Sequence, residues 1–411
     1  MESCGERPEA GIPRKTVGGA CLEEVRFDSM ESSMLRMGSL CGMDVAEVRS
    51  VVGSDTLTKR FLFLPPDEEI VGLTGAWADA LPLRVPVSRV APLSSSQIGY
   101  MARLQVTDRI VGIDDGKYVV DSVLRSRLAS SENGPRESSI VEVGSGSALS
   151  MEKLLLLKPE LVMSFATGGG NDDYERINSM GLPLMLTSEW QEDSPLAKAE
   201  WIKLYGKLFC GTDSLVACSV SADTIFGQSK RAYGFLSGFV RDSLVGDGKR
   251  PRVLAGMAYG GVWYAPGGKS YTAKLIHDAG GRYLWESDTS REMKLSLETV
   301  LALSDSADVW INPGMFHSPD EILAAEPRVK GIRAFREGLV FQNDGRMGPM
   351  GGNDFFEGAV ARPAELLYNL ASCLFPPSKY PSMLPERVLG AKKHQIFLDD
   401  SFKWYRNIYN Y

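Results

Sequence analysis

Short apolar runs alternate with amphipathic stretches along most of the chain. Arg89–Leu93 and Ile110–Ile113 read as strands around a helix over Ser95–Leu104; strands Ile140–Val143, Leu161–Ser164 and Leu184–Leu186 follow, separated by helices at Met151–Leu157 and 171–180. This alternation predicts a parallel sheet flanked by helices. Between 195 and 245 the period changes. Trp201, Leu204, Tyr205 and Leu208 recur at spacings of three or four, and the proline-free stretch Thr212–Phe239 predicts one long helix over most of its length, weakened by Gly227, Gly234 and Gly238. After a turn cluster at 246–251 the first pattern restarts. It gives strand Arg252–Gly256, helices 270–279 and 297–303, strands Val309–Ile311 and Leu339–Phe341, and a last helix Arg362–Leu374. Ahead of the alternation, Arg26–Asp67 is mixed, with one clear strand at Arg60–Leu64.

These changes divide the chain into a flexible tether (1–20), a β-rich extension (21–83), an α/β lobe (84–194), a helical linker (195–245), a second α/β lobe (251–376) and a surface-following C-terminal extension (377–411). A repeat supports the two lobes. Leu149-Ser150-Met151-Glu152 and Leu295-Ser296-Leu297-Glu298 each open a helix that leads to a buried strand. In both copies the serine suits an N-cap, and the glutamate sits where the helix dipole favours an anion. The predicted fold class is therefore α/β: two Rossmann-like lobes with parallel central sheets, joined by one long helix, with a cleft between them.

Composition narrows the function. At 411 residues the chain can bury a core without disulfide or metal staples, and a net charge of −7 offers no basic surface for nucleic acid or anionic lipid. The six cysteines show no metal-ligand spacing; Cys210, Cys218 and Cys373 read as buried small hydrophobes. The three histidines, His277, His317 and His394, are scattered, so no protein-ligated metal is expected. There is no G-x-S-x-G elbow, no P-loop ending and no dinucleotide fingerprint, which weighs against an enzyme. A surface interaction protein using the N-terminal region remains the other alternative. Cys4, followed by a polar stretch, reads either as an incidental cysteine or as the start of a mature lipoprotein.

The ordered motifs resemble a known family. Arg89-Val90-Ala91-Pro92-Leu93-Ser94 with Asp108–Ile113, the segment Ser150–Val162 containing Lys158-Pro159-Glu160-Leu161-Val162, Tyr264–Ser270 leading to Asp278-Ala279-Gly280-Gly281, and Ala334–Val340 are similar to the substrate-binding proteins of ABC importers for iron-siderophores, haem and vitamin B12. The resemblance implies a monomeric, non-enzymatic, extracytoplasmic receptor with no cofactor of its own, tethered through Cys4 as a bacterial lipoprotein. It would capture a metal chelate and pass it to a permease dimer, with Glu152 and Glu298 docking on that permease. It also implies small lobe motions about a stiff helix. Two departures stand out: Met350–Glu357 is an aromatic-acidic insertion associated with a subset of the family rather than its best-known members, with Asn353–Glu357 reading as either a lid or a helix start, and the first 80 residues have no counterpart in the compact members.

In open α/β sheets ligands sit beyond the carboxyl ends of the strands, so the loops there supply the candidate ligand-binding residues. They are Ser95, Ser96, Gln97, Asp115, Phe165 and Trp190 from the first lobe, and Tyr259, Trp263, Tyr264, Asn312 and Arg346 from the second. Aromatic faces suit a macrocycle or catechol, and the arginine suits an anionic chelate. Trp263 and Tyr264 have packing against the following turn as their competing role.

Overall fold

The computed structural model describes residues 16–17, 20–21, 24–67, 73–131, 140–144, 148–170, 172–211, 218, 220–245, 250–375 and 403–409. Cys4, the turn at 246–249 and most of the expected extension at 377–411 lie outside them. A short hairpin, β1 (Thr16–Val17) and β2 (Ala20–Cys21), precedes a five-stranded sheet. That sheet runs in chain order through β3 (Arg26–Phe27), β4 (Leu35–Leu40), β5 (Met43–Val52), β6 (Asp55–Leu64) and β7 (Leu81–Arg84). It is more regular than the mixed sequence suggests. Leu35, Met37, Ala46, Val48, Phe61 and Phe63 bury one face in the core of the first lobe.

The first lobe contains β8 (Val90–Pro92), α1 (Ser95–Leu104), β9 (Gly112–Ile113), α2 (Ser122–Ser131), β10 (Val141–Glu142), α3 (Met151–Leu157), β11 (Leu161–Ser164), α4 (Tyr174–Ser179) and β12 (Leu184–Leu186). Its strands are parallel. β12, β11 and β8 pair in that order, a bridge from Val90 to Ile110 carries the sheet on, and β9 pairs with β10. Both faces are covered, which is why these strands read as continuous apolar runs.

Two helices, α5 (Pro195–Glu200) and α6 (Ile202–Cys210), lead to α7 (Ala222–Phe239). The last begins in one core and ends in the other: Ala222, Ile225 and Phe226 pack with the first lobe, Ala232, Tyr233 and Leu236 with the second. Eighteen residues make a rod of roughly 27 Å at 1.5 Å per residue. The proline-free prediction extended further back, but 212–217 are not described.

The second lobe comprises β13 (Arg252–Ala255), β14 (Met257–Tyr259), β15 (Val262–Pro266), α8 (Tyr271–Asp278), β16 (Arg282–Tyr283), β17 (Glu292–Ser296), α9 (Leu297–Ser304), β18 (Val309–Ile311), α10 (Pro319–Ala325), α11 (Arg333–Arg336), β19 (Val340–Gln342), α12 (Pro363–Leu374) and β20 (Arg406–Asn407). Its main sheet has the order β16-β13-β18-β19-β20, parallel except for β20. β14, β15 and β17 form a separate antiparallel sheet that the sequence reading missed. The two repeat copies adopt matching caps, Ser150 accepting from Lys153 N and Ser296 from Thr299 N.

Two expectations need correction. The described end of the chain does not follow the surface: Trp404 and Ile408 are fully buried, and β20 completes the second sheet. Cys210 and Cys218 are not free small hydrophobes but form a disulfide, and Cys41 is disulfide-bonded as well. Only Cys373, among the described residues, is the free buried thiol that was expected. The Cys210–Cys218 bridge closes a loop of sequence separation 8, for which chain entropy predicts about 2–3 kcal/mol. Replacing both cysteines by alanine is expected to lower unfolding stability by about that amount in a urea titration, with no change in the folded far-UV spectrum.

Candidate functional site

In each main sheet the strand order reverses once, between β11 and β8 with their neighbour β9 in the first lobe and between β13 and β18 in the second. A crevice opens where neighbouring connections leave in opposite directions, so these are the places for a ligand. Phe165 directly follows β11 and Trp190 follows the edge strand β12, while Tyr259 ends β14 and Tyr264 lies in β15, both in the connection that leaves β13. Their exposures are 37%, 44%, 72% and 38%. Trp190 is the most exposed of the seven tryptophans, most of which are buried.

The loop bearing Trp190 is held from several directions. Ser96 donates to Glu189 Oε1 at 2.5 Å, and Ser50 and Ser188 hydroxyls lie 2.5 Å apart. Arg291, from the second lobe, donates to Gln191 O at 2.9 Å and to Asp193 Oδ2 at 2.8 Å. Beside this bridge lies a pocket of about 630 Å3 lined by Tyr264, Tyr271, Arg291, Met293 and Lys294 among others. Lys294 Nζ stands 5.7 Å from the Tyr264 ring centre, so a cation and an aromatic face share one wall. Nearby, burial lowers the pKa of the Lys198 ammonium while Glu189 opposes the shift.

The remaining predicted residues have other employment. Gln97 is fully buried: its Oε1 accepts from Leu93 N, and its Nε2 donates to Ser164 O and Thr187 Oγ1. It joins the ends of β8, β11 and β12 and cannot reach a ligand. Trp263 is also buried. Its indole N–H donates to Ala255 O and its ring packs on Trp310, so it belongs to the core, the competing role named above. Ser95 is half-buried in the first turn of α1, and Ser96 is committed to Glu189. Asp115 caps the turn at 116–118 and pairs with Lys117 at 2.7 Å. Asn312 adopts φ +53°, which asparagine tolerates, and its carboxamide faces the Tyr405 hydroxyl. Arg346 pairs with buried Asp354 at 2.7 Å. Glu152 and Glu298 are both exposed in first helical turns, with Glu298 bonded to Arg328 at 2.8 Å.

Asn353–Glu357 leads into a short 3-10 helix, Gly358–Ala361, with Glu357 at its N-cap position, and it also crosses between the lobes. Asp354 accepts from Trp404 Nε1 and Gly358 N, and Glu357 reaches the first lobe, accepting from Val120 N at 2.8 Å and Asp121 N at 2.6 Å. The next turn, Gly358–Ala361, places Val360 and Ala361 in the first core. Gly99 of α1 is required there, because a Cβ would lie 1.9 Å from Glu357 O. The segment is thus a second crossing between the lobes. Sequence reading also missed Arg291, since nothing in its isolated position announces a bridge. It passed over a His317–Asp344–Arg406 chain too, in which Nδ1 of the histidine lies 3.0 Å from Asp344 and Arg406 holds the same carboxylate at 2.7 Å.

The two-lobed α/β fold is shared with solved periplasmic solute-binding proteins. A Helicobacter pylori CeuE structure with Ni(II) bound is 16% identical, with a TM-score of 0.53 over 78% of this chain and 94% of that one. The periplasmic haem-binding protein HutB of Vibrio cholerae is 16% identical, TM-score 0.51, over 70% and 99%. A possible iron-binding periplasmic solute-binding protein from Staphylococcus epidermidis is 14% identical, TM-score 0.51, over 71% and 99%. At these identities the likeness establishes the fold, in agreement with the resemblance read from the motifs. No family model matches the chain. Among curated proteins, an uncharacterised lipoprotein of Methanocaldococcus jannaschii is 21% identical over 305 residues, which are 72% of this chain. The match spans 66% of that protein's length, just short of two thirds.

The crossing at Glu357 has a pH signature. Burial pushes its carboxyl up to about 8, opposed by the Val120 and Asp121 amides and reinforced by Asp354 and Asp121. The folded chain therefore holds this proton more tightly than the unfolded chain does. The stability so gained is full below the ordinary glutamate value and is lost as pH rises through about 8. Melting scans from about pH 6 to about pH 9 are expected to show the wild type losing stability over this window and Glu357→Gln losing less.

Proposed function

We propose that this chain is the extracytoplasmic substrate-binding component of an ABC importer, capturing a metal chelate such as a ferric siderophore, haem or cobalamin between its lobes. The observation that carries the reading is the exposure of Phe165 and Trp190 in the connections leaving β11 and β12, and of Tyr259 and Tyr264 in the connection leaving β13, the carboxyl ends at which open α/β sheets take ligands. Flat aromatic faces bury an apolar macrocycle or catechol, and Arg291 with Lys294 suits an anionic periphery. The names of the structural neighbours, which speak of iron, haem and nickel, support the same class of cargo. We read the chain as a receptor and not an enzyme, with a metal that arrives inside the cargo.

Two features support an extracytoplasmic location. The Cys210–Cys218 disulfide suits an oxidising compartment. Among the described residues no helix is long and apolar enough to cross a membrane. A lipid on Cys4 would then supply the tether, in keeping with the lipoprotein relative. Glu152 and Glu298, equivalent in the repeat and exposed on opposite lobes, are the contacts we assign to a permease dimer.

A thermal-shift and native mass spectrometry panel of haemin, ferric siderophores and cyanocobalamin is expected to give at least one stabilising, stoichiometric ligand. For that ligand Trp190→Ala should weaken binding by roughly tenfold, the scale of one lost aromatic contact. No binding across the panel would reject the cargo class. A Glu152→Lys/Glu298→Lys double variant is expected to keep ligand affinity while uptake and pull-down of the permease are lost; impaired ligand binding would refute the docking assignment.

A further inference from the structure

The N-terminal sheet has no part in the motifs that carry the resemblance, yet the tip of its β5–β6 hairpin touches both aromatic loops of the first lobe. Val51 N donates to Gln191 Oε1 at 2.8 Å and Gln191 Nε2 donates back to Val51 O at 2.7 Å, as a neighbouring strand would. Gln191 follows Trp190 directly. Ser50, one residue before, meets Ser188 on the other side of the same tryptophan. At the turn, Gly53 lies so close to Gly168 that a Cβ on Gly168 would come within 2.3 Å of Gly53 N. Gly168 belongs to the loop that starts with Phe165 and is tied to Asp172 through its own amide. Val51 itself stays 39% exposed.

We propose that the β5–β6 hairpin is a third wall of the ligand cleft: its tip fixes the spacing of the Phe165 and Trp190 loops and adds Val51 to the surface that meets the cargo. The inference rests on the reading of the aromatic gap as the cargo site. A loop carrying an exposed aromatic has little apolar burial of its own, and its position depends on the hydrogen bonds that hold it. Here those bonds come from a hairpin whose base, through Ala46, Val48, Phe61 and Phe63, is part of the first core. Two-lobed receptors without such a sheet must hold the same loops by other means. This wall therefore sets which cargo shapes fit along the first lobe.

Two variants test it in the full chain. Removing Val51, Val52, Asp55 and Thr56 deletes two paired rungs and leaves Gly53-Ser54 as the turn between Ser50 and Leu57, so every remaining side chain keeps its face. Gln191→Ala is the milder version. In both, hydrogen exchange at 165–170 and 187–192 is expected to rise roughly tenfold while the melt stays cooperative. Affinity for the panel member that binds best, with haemin as first probe, is expected to fall roughly tenfold, the loss expected from two hydrogen bonds. Unchanged exchange and affinity in both variants overturn the wall while the wild type's binding upholds the cargo reading. A wild-type chain that binds none of the probes removes the cargo reading and the wall with it.

Discussion

A carboxylate withdrawn from water must recover its hydrogen bonds from the protein, and in this chain the donors often belong to a different part of the fold. Glu192, 2% exposed, accepts from Ser32, Ser33 and Met34 of the N-terminal sheet and from Trp201 Nε1. Glu200, 1% exposed, accepts from the amides of Glu31 and Ser32. Glu357 does the same across the lobes, and Asp354 ties the crossing to Trp404. Each group is costly to bury alone and directional once paired, so it fixes one arrangement of sheet, lobe and lobe where apolar packing alone would allow several. Removing a single partner would leave a buried acid group short of its donors, which is costly whether the group is ionised or, as for Glu357, holds its proton.

The gap between the lobes acquires its character from that frame. The lobes are tied by α7, by the turn at 358–361 and by the Arg291 bridge to Gln191 and Asp193. Hinge closure depends on a few residues absorbing large backbone changes, and three separate ties, one of them a helix embedded in both cores, leave little room for it. The loops bearing Phe165 and Trp190 are consequently held in place by the fold itself, and preorganisation of this kind lowers the ordering cost of binding in general.

Much of this frame was legible in the sequence because it rests on local periodicity. α1 over Ser95–Leu104 and the β11 strand fall where the alternation placed them, and the Ser-x-Glu caps of α3 and α9 are present in both lobes. The rule that ligands sit beyond the carboxyl ends of the strands led to Phe165, Trp190, Tyr259 and Tyr264, all of which are exposed. The failures have one physical origin, since each depends on a partner distant in sequence. Gln97 and Trp263 sit beside the strand ends that a ligand would visit, but their side chains point inward, and only the surrounding acceptors Ser164 O and Ala255 O reveal it. The disulfide needed Cys218 to lie against the end of α6. The Asn353–Glu357 segment looked polar and aromatic enough for a surface loop, while its acid groups are in fact satisfied by amides and an indole on other elements. Local patterns carry no information on such pairings.

The same distinction explains why the second lobe's wall differs from the first. β14, β15 and β17 form a small antiparallel sheet with one exposed face, so alternate residues of β15 divide between core and gap. Trp263 and Ala265 turn inward, whereas Tyr264 turns outward beside Lys294. On the first lobe the corresponding surface is made by loops braced from outside by the hairpin. One wall is therefore a strand carrying an aromatic and a cation at fixed register, and the other is a pair of aromatic loops held by neighbours. Arg291 and Lys294 find Asp193, Glu292 and the Tyr264 ring in the same surroundings.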